Sequence, residues 1–237
     1  MPDWLSTKSY VPEGDAGTEA TLRAMRRMID KGTASPHVIR IARDIVRPVA
    51  ARDTDAEAQA ILSWVQRHLR YTHDPVGVEV VADADYMARE YERTGSIVED
   101  CDGAVVMIGS LLKAVGIEAE PVVVSPDEGA YSHVLIRYKS PRHGYVTLDG
   151  ITQNGPGWFP SGAVRVGVFS NGRINPDSPM TVQGLSGYPS GQMPDAAPPA
   201  DFIQKTSERI EPVTNIMWFV LGVAAIWSWV KTGKAPL

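Results

Sequence analysis

A single cysteine stands among three carboxylates in the sequence Glu-Asp-Cys-Asp-Gly at residues 99–103, directly before an apolar run. Cys101 is the only cysteine of the chain, so it cannot form an internal disulfide. If a helix begins at Asp102 or Gly103, the sulfur lies at the helix N-terminus, where free backbone N–H groups favour an anion. That position can lower the pKa of a thiol below its usual value of ~8.5. The carboxylates act in the opposite direction, so a thiolate at neutral pH would need a cationic partner.

His133 is the candidate for that partner, and Asp149 is the candidate for a group that orients it. His133 lies in a β-like segment, and Asp149 ends the next one. Neighbouring antiparallel strands place side chains next to each other, so the aspartate can fix the imidazole tautomer. A thiol, a base and an orienting carboxylate are the groups that nucleophilic acyl transfer requires. Taken one at a time, these residues have simpler interpretations: Cys101 as a small core residue, His133 as an ordinary strand residue and Asp149 as a turn residue.

The chain before Cys101 predicts a series of helices, identified by apolar residues at helical spacing and by start signals. They are a helix over 18–31, one with Ser35 as N-cap and Pro36 at its first position, one opened by a capping box of Thr54 and Glu57, a short helix over 86–93 and a strong helix over about 104–115. The stretch 71–100 is otherwise predicted to be irregular, because it carries several turn residues.

Three β-like segments follow the strong helix and predict an antiparallel meander. They cover 117–125, 130–138 and 145–148, and the joins at 126–129 and 141–144 are typical of hairpin loops. A short strand over 163–169 could extend the same sheet. Helices followed by an antiparallel sheet predict an α+β fold.

The composition changes along the chain and predicts four parts. They are an N-terminal arm (1–14), the α+β domain (15–170), a Pro/Gly-rich linker (171–213) and an apolar helix (214–231). The stretch 216–230 carries no charge, and tryptophans near its ends with Lys231 after it are typical of a membrane interface. Because it is shorter than the ~20 residues that span a bilayer, burial in a protein assembly is the alternative.

Composition argues against several classes of function. The net charge of -5 and the pI near 5.5 give no basic surface for nucleic acid. A single cysteine and the lack of a His-Glu-x-x-His pattern predict no metal site, and we expect no cofactor. The first residues lack a basic stretch followed by an apolar run, so no signal peptide is expected.

Three local sequences, taken together, resemble the transglutaminase-like cysteine peptidase superfamily in its bacterial and phage form. They are VEDCDGAVVMIGSLLKAVGIEAEPVVV from residue 98, YSHVLIRY from residue 131 and YVTLDG from residue 145. The upstream sequence WVQRHLRYTHDPVGVE is similar to the helix and loop that precede the cysteine in such proteins, so the resemblance covers roughly residues 55–152. Glu99 stands where the motif usually has glycine, and Leu135 where many members carry an aromatic residue.

The resemblance implies a papain-like core, with N-terminal helices packed on an antiparallel sheet. It also implies a catalytic triad in which Cys101 is the nucleophile, His133 the general base and acid, and Asp149 the orienting group, without metal or organic cofactor. The backbone N–H of Cys101 would then be one donor to an oxyanion. The candidates for a second donor are the upstream side chains Gln66, Trp64 and Tyr71.

The predicted function is thiol-dependent acyl transfer, most simply hydrolysis of a peptide or amide bond in a peptide or protein substrate. A hydrolase is favoured over two alternatives: a non-catalytic structural phage component that uses 214–231 as an anchor, and an amine-accepting transglutaminase. The resemblance to phage proteins predicts a location in a virion or in the host cytoplasm. Contact of 214–231 with a membrane or an assembly is expected, and a membrane-anchored bacterial peptidase is a further possibility.

Overall fold

The computed structural model describes residues 14–74 and 80–177, which form five helices and seven strands. The helices are α1 (Asp15–Thr33), α2 (Pro36–Val46), α3 (Thr54–His68), α4 (Ala84–Thr94) and α5 (Cys101–Ala114). The strands β1 (Leu69–Tyr71) and β2 (Ile97–Glu99) form a short parallel pair. The strands β3 (Ala119–Ser125), β4 (His133–Ser140), β5 (Gly144–Leu148), β6 (Arg165–Ser170) and β7 (Arg173–Asp177) form an antiparallel sheet in the order β5-β4-β3-β6-β7. The predicted α+β class is confirmed. Helix α4 corresponds to the short helix predicted over 86–93, and β2 lies in the stretch that was otherwise predicted to be irregular.

The start of α2 agrees with the sequence signal, and that of α3 differs from it. Ser35 accepts two backbone N–H groups of α2, with Pro36 at the first helical position. At α3 the cap is Asp53, whose carboxylate accepts the N–H of Ala56, so Thr54 is already helical. A carboxylate at this position also interacts favourably with the helix dipole, which accounts for the shift by one residue.

Helix α5 is the central element of the domain, because residues 102–112 are all buried. It packs against α1 on one side and β4 on the other, and Gly109 allows that close fit. A Cβ atom at Gly109 would lie 2.8 Å from Ile29 Cδ1 of α1 and 2.9 Å from Ile136 Cδ1 of β4. A helix that is apolar all round is expected in such a fully enclosed position.

The sheet is buried on both faces. Alternate residues of β4, such as Val134 and Ile136, belong to the core that the sheet shares with the helices. Leu135 points the other way, into a second core that includes Trp158 and Phe159. The position where related motifs carry an aromatic residue is therefore filled here by an aliphatic side chain in this second core.

The sheet continues beyond residue 170, where the sequence predicted the linker to begin. Asn171 and Gly172 both have positive φ angles, 53° and 80°, and they join β6 to β7 in a two-residue hairpin. The rest of the predicted linker, the predicted helix 214–231 and residues 1–13 of the predicted arm lie outside the described residues. Within residues 14–74 and 80–177, no helix is both long enough and apolar enough to cross a membrane.

Asp55 attaches the first turn of α3 to the β4–β5 hairpin. Its Oδ1 accepts the Tyr138 hydroxyl at 2.9 Å, and its Oδ2 accepts Arg142 Nε at 2.8 Å. Burial raises the pKa of Asp55, but hydrogen bonds from Ser140, Arg142 and Tyr138 outweigh this effect and hold it below its usual value.

We predict that Asp55→Asn destabilises the domain by about 1.5–3 kcal/mol at pH 7, because it removes a charged acceptor with several donors. The folded-state pKa is lowered, so this stabilisation is present above the unfolded-state pKa and is lost as the pH falls through the folded-state value. Urea denaturation at pH 5 and pH 3 should show the difference from wild type shrinking at the lower pH. The control Asp44→Asn alters an exposed ion pair with Arg47 and should have little effect. Equal losses in both variants would contradict the prediction.

Candidate active site

Asp100 fixes Cys101 at the first position of α5. Its Oδ1 accepts the backbone N–H groups of Asp102 at 2.9 Å and Gly103 at 3.3 Å, so this carboxylate caps the helix. The helix therefore begins one or two residues before the predicted start. The sulfur of Cys101 also accepts a hydrogen bond from the backbone N–H of Val134 in β4, which ties the helix start to the sheet.

The thiol of Cys101 is the favoured form at rest. The residue keeps some accessible surface, but protein atoms surround most of its sulfur. Burial raises the pKa of the thiol, the carboxylates of Asp102 and Asp100 raise it further, and the Val134 N–H lowers it less. The thiol donates to Oδ1 of Asp102 at 3.7 Å. The lowering that a helix N-terminus alone would give is thus overcome by burial and by these two carboxylates.

His133 and Asp149 form a buried pair. Nε2 of His133 lies 2.8 Å from Oδ2 of Asp149, and the two residues are 7% and 2% exposed. The other oxygen of Asp149, Oδ1, accepts the backbone N–H groups of Ile151 and Thr152 at 3.0 and 3.3 Å. Both carboxylate oxygens are therefore engaged, which fixes the imidazole in one orientation. When Nε2 donates to Asp149, Nδ1 becomes the nitrogen that can accept a proton.

Gln66 holds the backbone of Asp149 in place. Its Nε2 donates to the carbonyl oxygens of Asp149 at 3.0 Å and Asn154 at 2.9 Å. The next residue, Gly150, brings this turn against α5, since a Cβ atom there would lie 3.0 Å from Ala104 Cβ. The side-chain amide of Gln66 was predicted to be an oxyanion donor. In the structure it donates to two backbone carbonyl groups instead and so holds the turn that carries Asp149. The sequence contains no local signal for this supporting role.

Trp64 packs among aromatic side chains of α3 and α4. Its ring packs against those of His68 and Tyr91, with centroids 5.0 and 4.6 Å apart. It lines a separate cavity of about 450 Å³ between α2 and α3. The structure therefore places this oxyanion candidate among core aromatics, the simpler of its two interpretations.

Tyr71 lies beside the segment that leads into Cys101. As the last residue of β1 it pairs in register with Glu99 of β2, two residues before Cys101. Burial raises the pKa of Tyr71, and negative charge on Asp100, or on Cys101 when it ionises, raises it further. Its hydroxyl consequently keeps its proton at neutral pH and can donate a hydrogen bond. Of the three predicted side-chain donors, it is the one whose pKa is affected by Cys101, and its hydroxyl lies 3.5 Å from Nδ1 of His73.

Cys101 and His133 line the same cleft, which has a volume of about 350 Å³. The first half of α1 forms one wall, and the chain that enters β4 forms the other. The sequence patterns identified α1 only as a packing helix, because its cleft-facing residues Gly14, Gly17 and Thr18 carry no catalytic signal. Asp100, Cys101 and Asp102 bring possible metal-ligand atoms within 4.8 Å of one another. Asp100 already caps α5, however, and the raised pKa of Cys101 opposes the thiolate that a metal would need.

No known family model and no curated protein sequence matches this chain. Similar solved structures include a candidate protease from Parabacteroides distasonis, with 12% identity over 73% of this chain and 35% of that one, at a TM-score of 0.48. A candidate cysteine protease from Cytophaga hutchinsonii has 14% identity over 63% of this chain and 53% of that one, at 0.35. EGTA-treated LapG from Legionella pneumophila has 12% identity over 68% of this chain and 93% of that one, at 0.38. The chain thus spans about a third of the first protein and half of the second. All three TM-scores are below 0.5, so these similarities do not establish a family, and the transglutaminase-like family stays a prediction.

Glu99, two residues before Cys101, has an unusual pKa for a carboxyl group. Its side chain packs over Gly103, where a Cβ atom would lie 2.5 Å from Glu99 Cβ. Burial raises the pKa of Glu99 to about 8, and the charges of Asp100 and Asp74 contribute to the increase. Glu99 is therefore largely protonated at neutral pH, so it adds little to the negative charge around Cys101.

We predict that Glu99→Gln removes a pH-dependent loss of stability. The folded-state pKa of about 8 lies above the unfolded value, so wild-type stability falls as the pH rises from about 4.5 to 8. The amide cannot ionise, so the variant should be more stable at pH 9 by about 1 kcal/mol or more, roughly 2–4 °C in Tm. The two proteins should agree at pH 4. Thermal melts from pH 4 to 9 measure this, with Glu118→Gln, whose side chain is exposed, as the control. Parallel profiles for wild type and Glu99→Gln would contradict the prediction.

Proposed function

We propose that this protein is a cysteine hydrolase that cleaves a peptide or amide bond by acyl transfer through Cys101, His133 and Asp149. The observation that supports this most strongly is the buried contact of 2.8 Å between His133 and Asp149, in a histidine that lines the same cleft as Cys101. Burial of such a pair costs desolvation energy, which is hard to explain as a gain in stability alone. It is the arrangement that orients a base toward a nucleophile.

In the proposed first step, the sulfur of Cys101 attacks the substrate carbonyl carbon while its proton passes to Nδ1 of His133. Because the resting thiol is protonated, His133 acts as a general base during the attack, and Asp149 stabilises the imidazolium that forms. The backbone N–H of Cys101 is one donor to the oxyanion, and the Tyr71 hydroxyl is the candidate for the second. Collapse of this intermediate breaks the carbon–nitrogen bond, and the imidazolium protonates the leaving amine.

The second step releases the acyl group from its thioester with Cys101. A water molecule gives a proton to His133 and adds to the thioester carbonyl, and the thiol and a carboxylic acid are the products. An amine in place of water would give transamidation. Hydrolysis requires no second binding site for an acceptor, so it is the simpler proposal.

A scaffold without catalytic activity is the second candidate, and one observation favours it. Burial and Asp102 raise the pKa of Cys101, which is the environment of an unreactive core thiol. The predicted location, in a phage particle or at a membrane, depends on residues 214–231 and on the family resemblance, and it stays a prediction.

We predict that Cys101→Ala abolishes peptide cleavage while leaving the thermal stability nearly unchanged, because the side chain is small and at a helix start. Asp149→Ala should lower activity by about 10²–10⁴-fold and leave a residual rate, since the imidazole can still reach the sulfur. The measurement is cleavage of a mixed peptide library, followed by mass spectrometry. His143→Ala, in the exposed β4–β5 turn, is the matched histidine control. Full activity in Cys101→Ala would disprove the enzyme, and amine incorporation without hydrolysis would indicate transamidation.

A further inference from the structure

The cleft beside Cys101 is bounded by two walls from distant parts of the chain. Gly14, Gly17 and Thr18, at the start of α1, form one wall. The opposite wall contains Tyr131, which lies two residues before His133. A volume of about 350 Å³ is close to the lower end of the range for ligand sites, roughly 300–1,000 Å³. A cleft of this volume has room for only a short segment of an extended chain.

Arg165 of β6 connects these two walls at the end near the start of α1. Its Nη2 donates to Asp15 Oδ2 at 2.5 Å, and its Nη1 donates to the carbonyl oxygen of Gly129 at 2.7 Å. Its guanidinium carbon lies 4.3 Å from the centroid of the Tyr131 ring. A planar guanidinium can bind a carboxylate and a carbonyl while it stacks on an aromatic ring. We call Asp15, Arg165 and Tyr131 the cleft bridge.

The Tyr131 ring has little freedom to move. Its hydroxyl lies over Gly167 of β6, where a Cβ atom would be 2.8 Å from the hydroxyl oxygen. Because Gly167 has no side chain, the Tyr131 hydroxyl can lie there, and the guanidinium of Arg165 stacks on the ring. The ring of Tyr131, two residues before His133 in the chain, is therefore held by Arg165 and by its place over Gly167.

We propose that Tyr131 is the specificity-determining residue of this cleft, and that the cleft bridge holds its ring where it limits the acyl group of the substrate to a narrow, extended chain. This inference rests on the proposed function, because the acyl group is the one that Cys101 would carry. A substrate with a bulky or branched group beside the reacting carbonyl would meet the ring of Tyr131 on one side and α1 on the other. Unbranched acyl groups would pass between them.

The single cysteine allows a test that needs no substrate. The rate of modification of Cys101 by N-methylmaleimide is compared with that by N-(1-pyrenyl)maleimide, which carries the same reactive group on a much wider body. In Tyr131→Ala the rate with the wide probe, relative to the narrow one, should rise about tenfold, whereas Tyr131→Phe should resemble wild type because it keeps the ring. Asp15→Asn should raise the ratio about threefold by loosening the bridge, and Asp44→Asn, in an exposed ion pair elsewhere, should not change it.

An unchanged ratio in a folded Tyr131→Ala would overturn the proposal. If circular dichroism shows that Tyr131→Ala does not fold, the Asp15→Asn variant becomes the test. An unchanged ratio of the two modification rates in Asp15→Asn would then overturn the proposed role of the cleft bridge. Modification by a maleimide requires neither turnover nor a bound substrate, so the ratio is independent of hydrolysis. If Tyr131→Ala raises the ratio but the wild-type protein shows no hydrolytic activity, the proposed function fails. The role of Tyr131 in setting the width of the cleft would still stand.

Discussion

The burial of α5 between α1 and the sheet is the constraint on which the rest of the site depends. Each fully buried aliphatic side chain of this helix contributes about 1.5–3 kcal/mol, so the position of the helix is strongly determined. Cys101 is its first residue, and the cap from Asp100 sets where the helix begins. The same packing brings β4 against the helix, so that Val134 reaches the sulfur and His133 enters the cleft. A thiol on a loop would have no comparable restriction.

The electrostatics of the site follow from this burial. Asp100 and Asp102 flank the sulfur and raise its pKa, and Glu99 avoids adding a further charge by staying protonated at neutral pH. A preformed thiolate is therefore disfavoured, and the site depends on a base that acts when the carbonyl arrives. The pair of His133 and Asp149 fits that requirement because both oxygens of Asp149 are held. Gln66 and Gly150 fix the turn from which this carboxylate projects.

Local sequence patterns predict the elements and the candidate residues, but not the support around them. Apolar spacing and Ser35 with Pro36 predicted the helices, and β-like segments with hairpin loops predicted β3 to β5, because both signals are short in range. The short strand predicted over 163–169 corresponds to β6. The cap at Asp53 and the role of Gln66 escaped prediction, since each depends on a hydrogen bond whose value is set by the folded structure. The raised pKa of Cys101 depends on burial, which no local pattern contains. The role of α1 as a wall of the cleft also escaped prediction, because it depends on how the helix packs in the folded structure.

The most direct test of the central claim is the rate at which iodoacetamide modifies Cys101 between pH 4 and 10, in wild type and in His133→Ala. If His133 is the base for this thiol, wild type should react at pH 7 at least about ten times faster than the variant. The variant should then react appreciably only above ~8.5, the ordinary pKa of a thiol, because burial and the neighbouring carboxylates favour the protonated form. Identical pH profiles in the two proteins would show that His133 does not act on Cys101, and would contradict the proposed catalytic site.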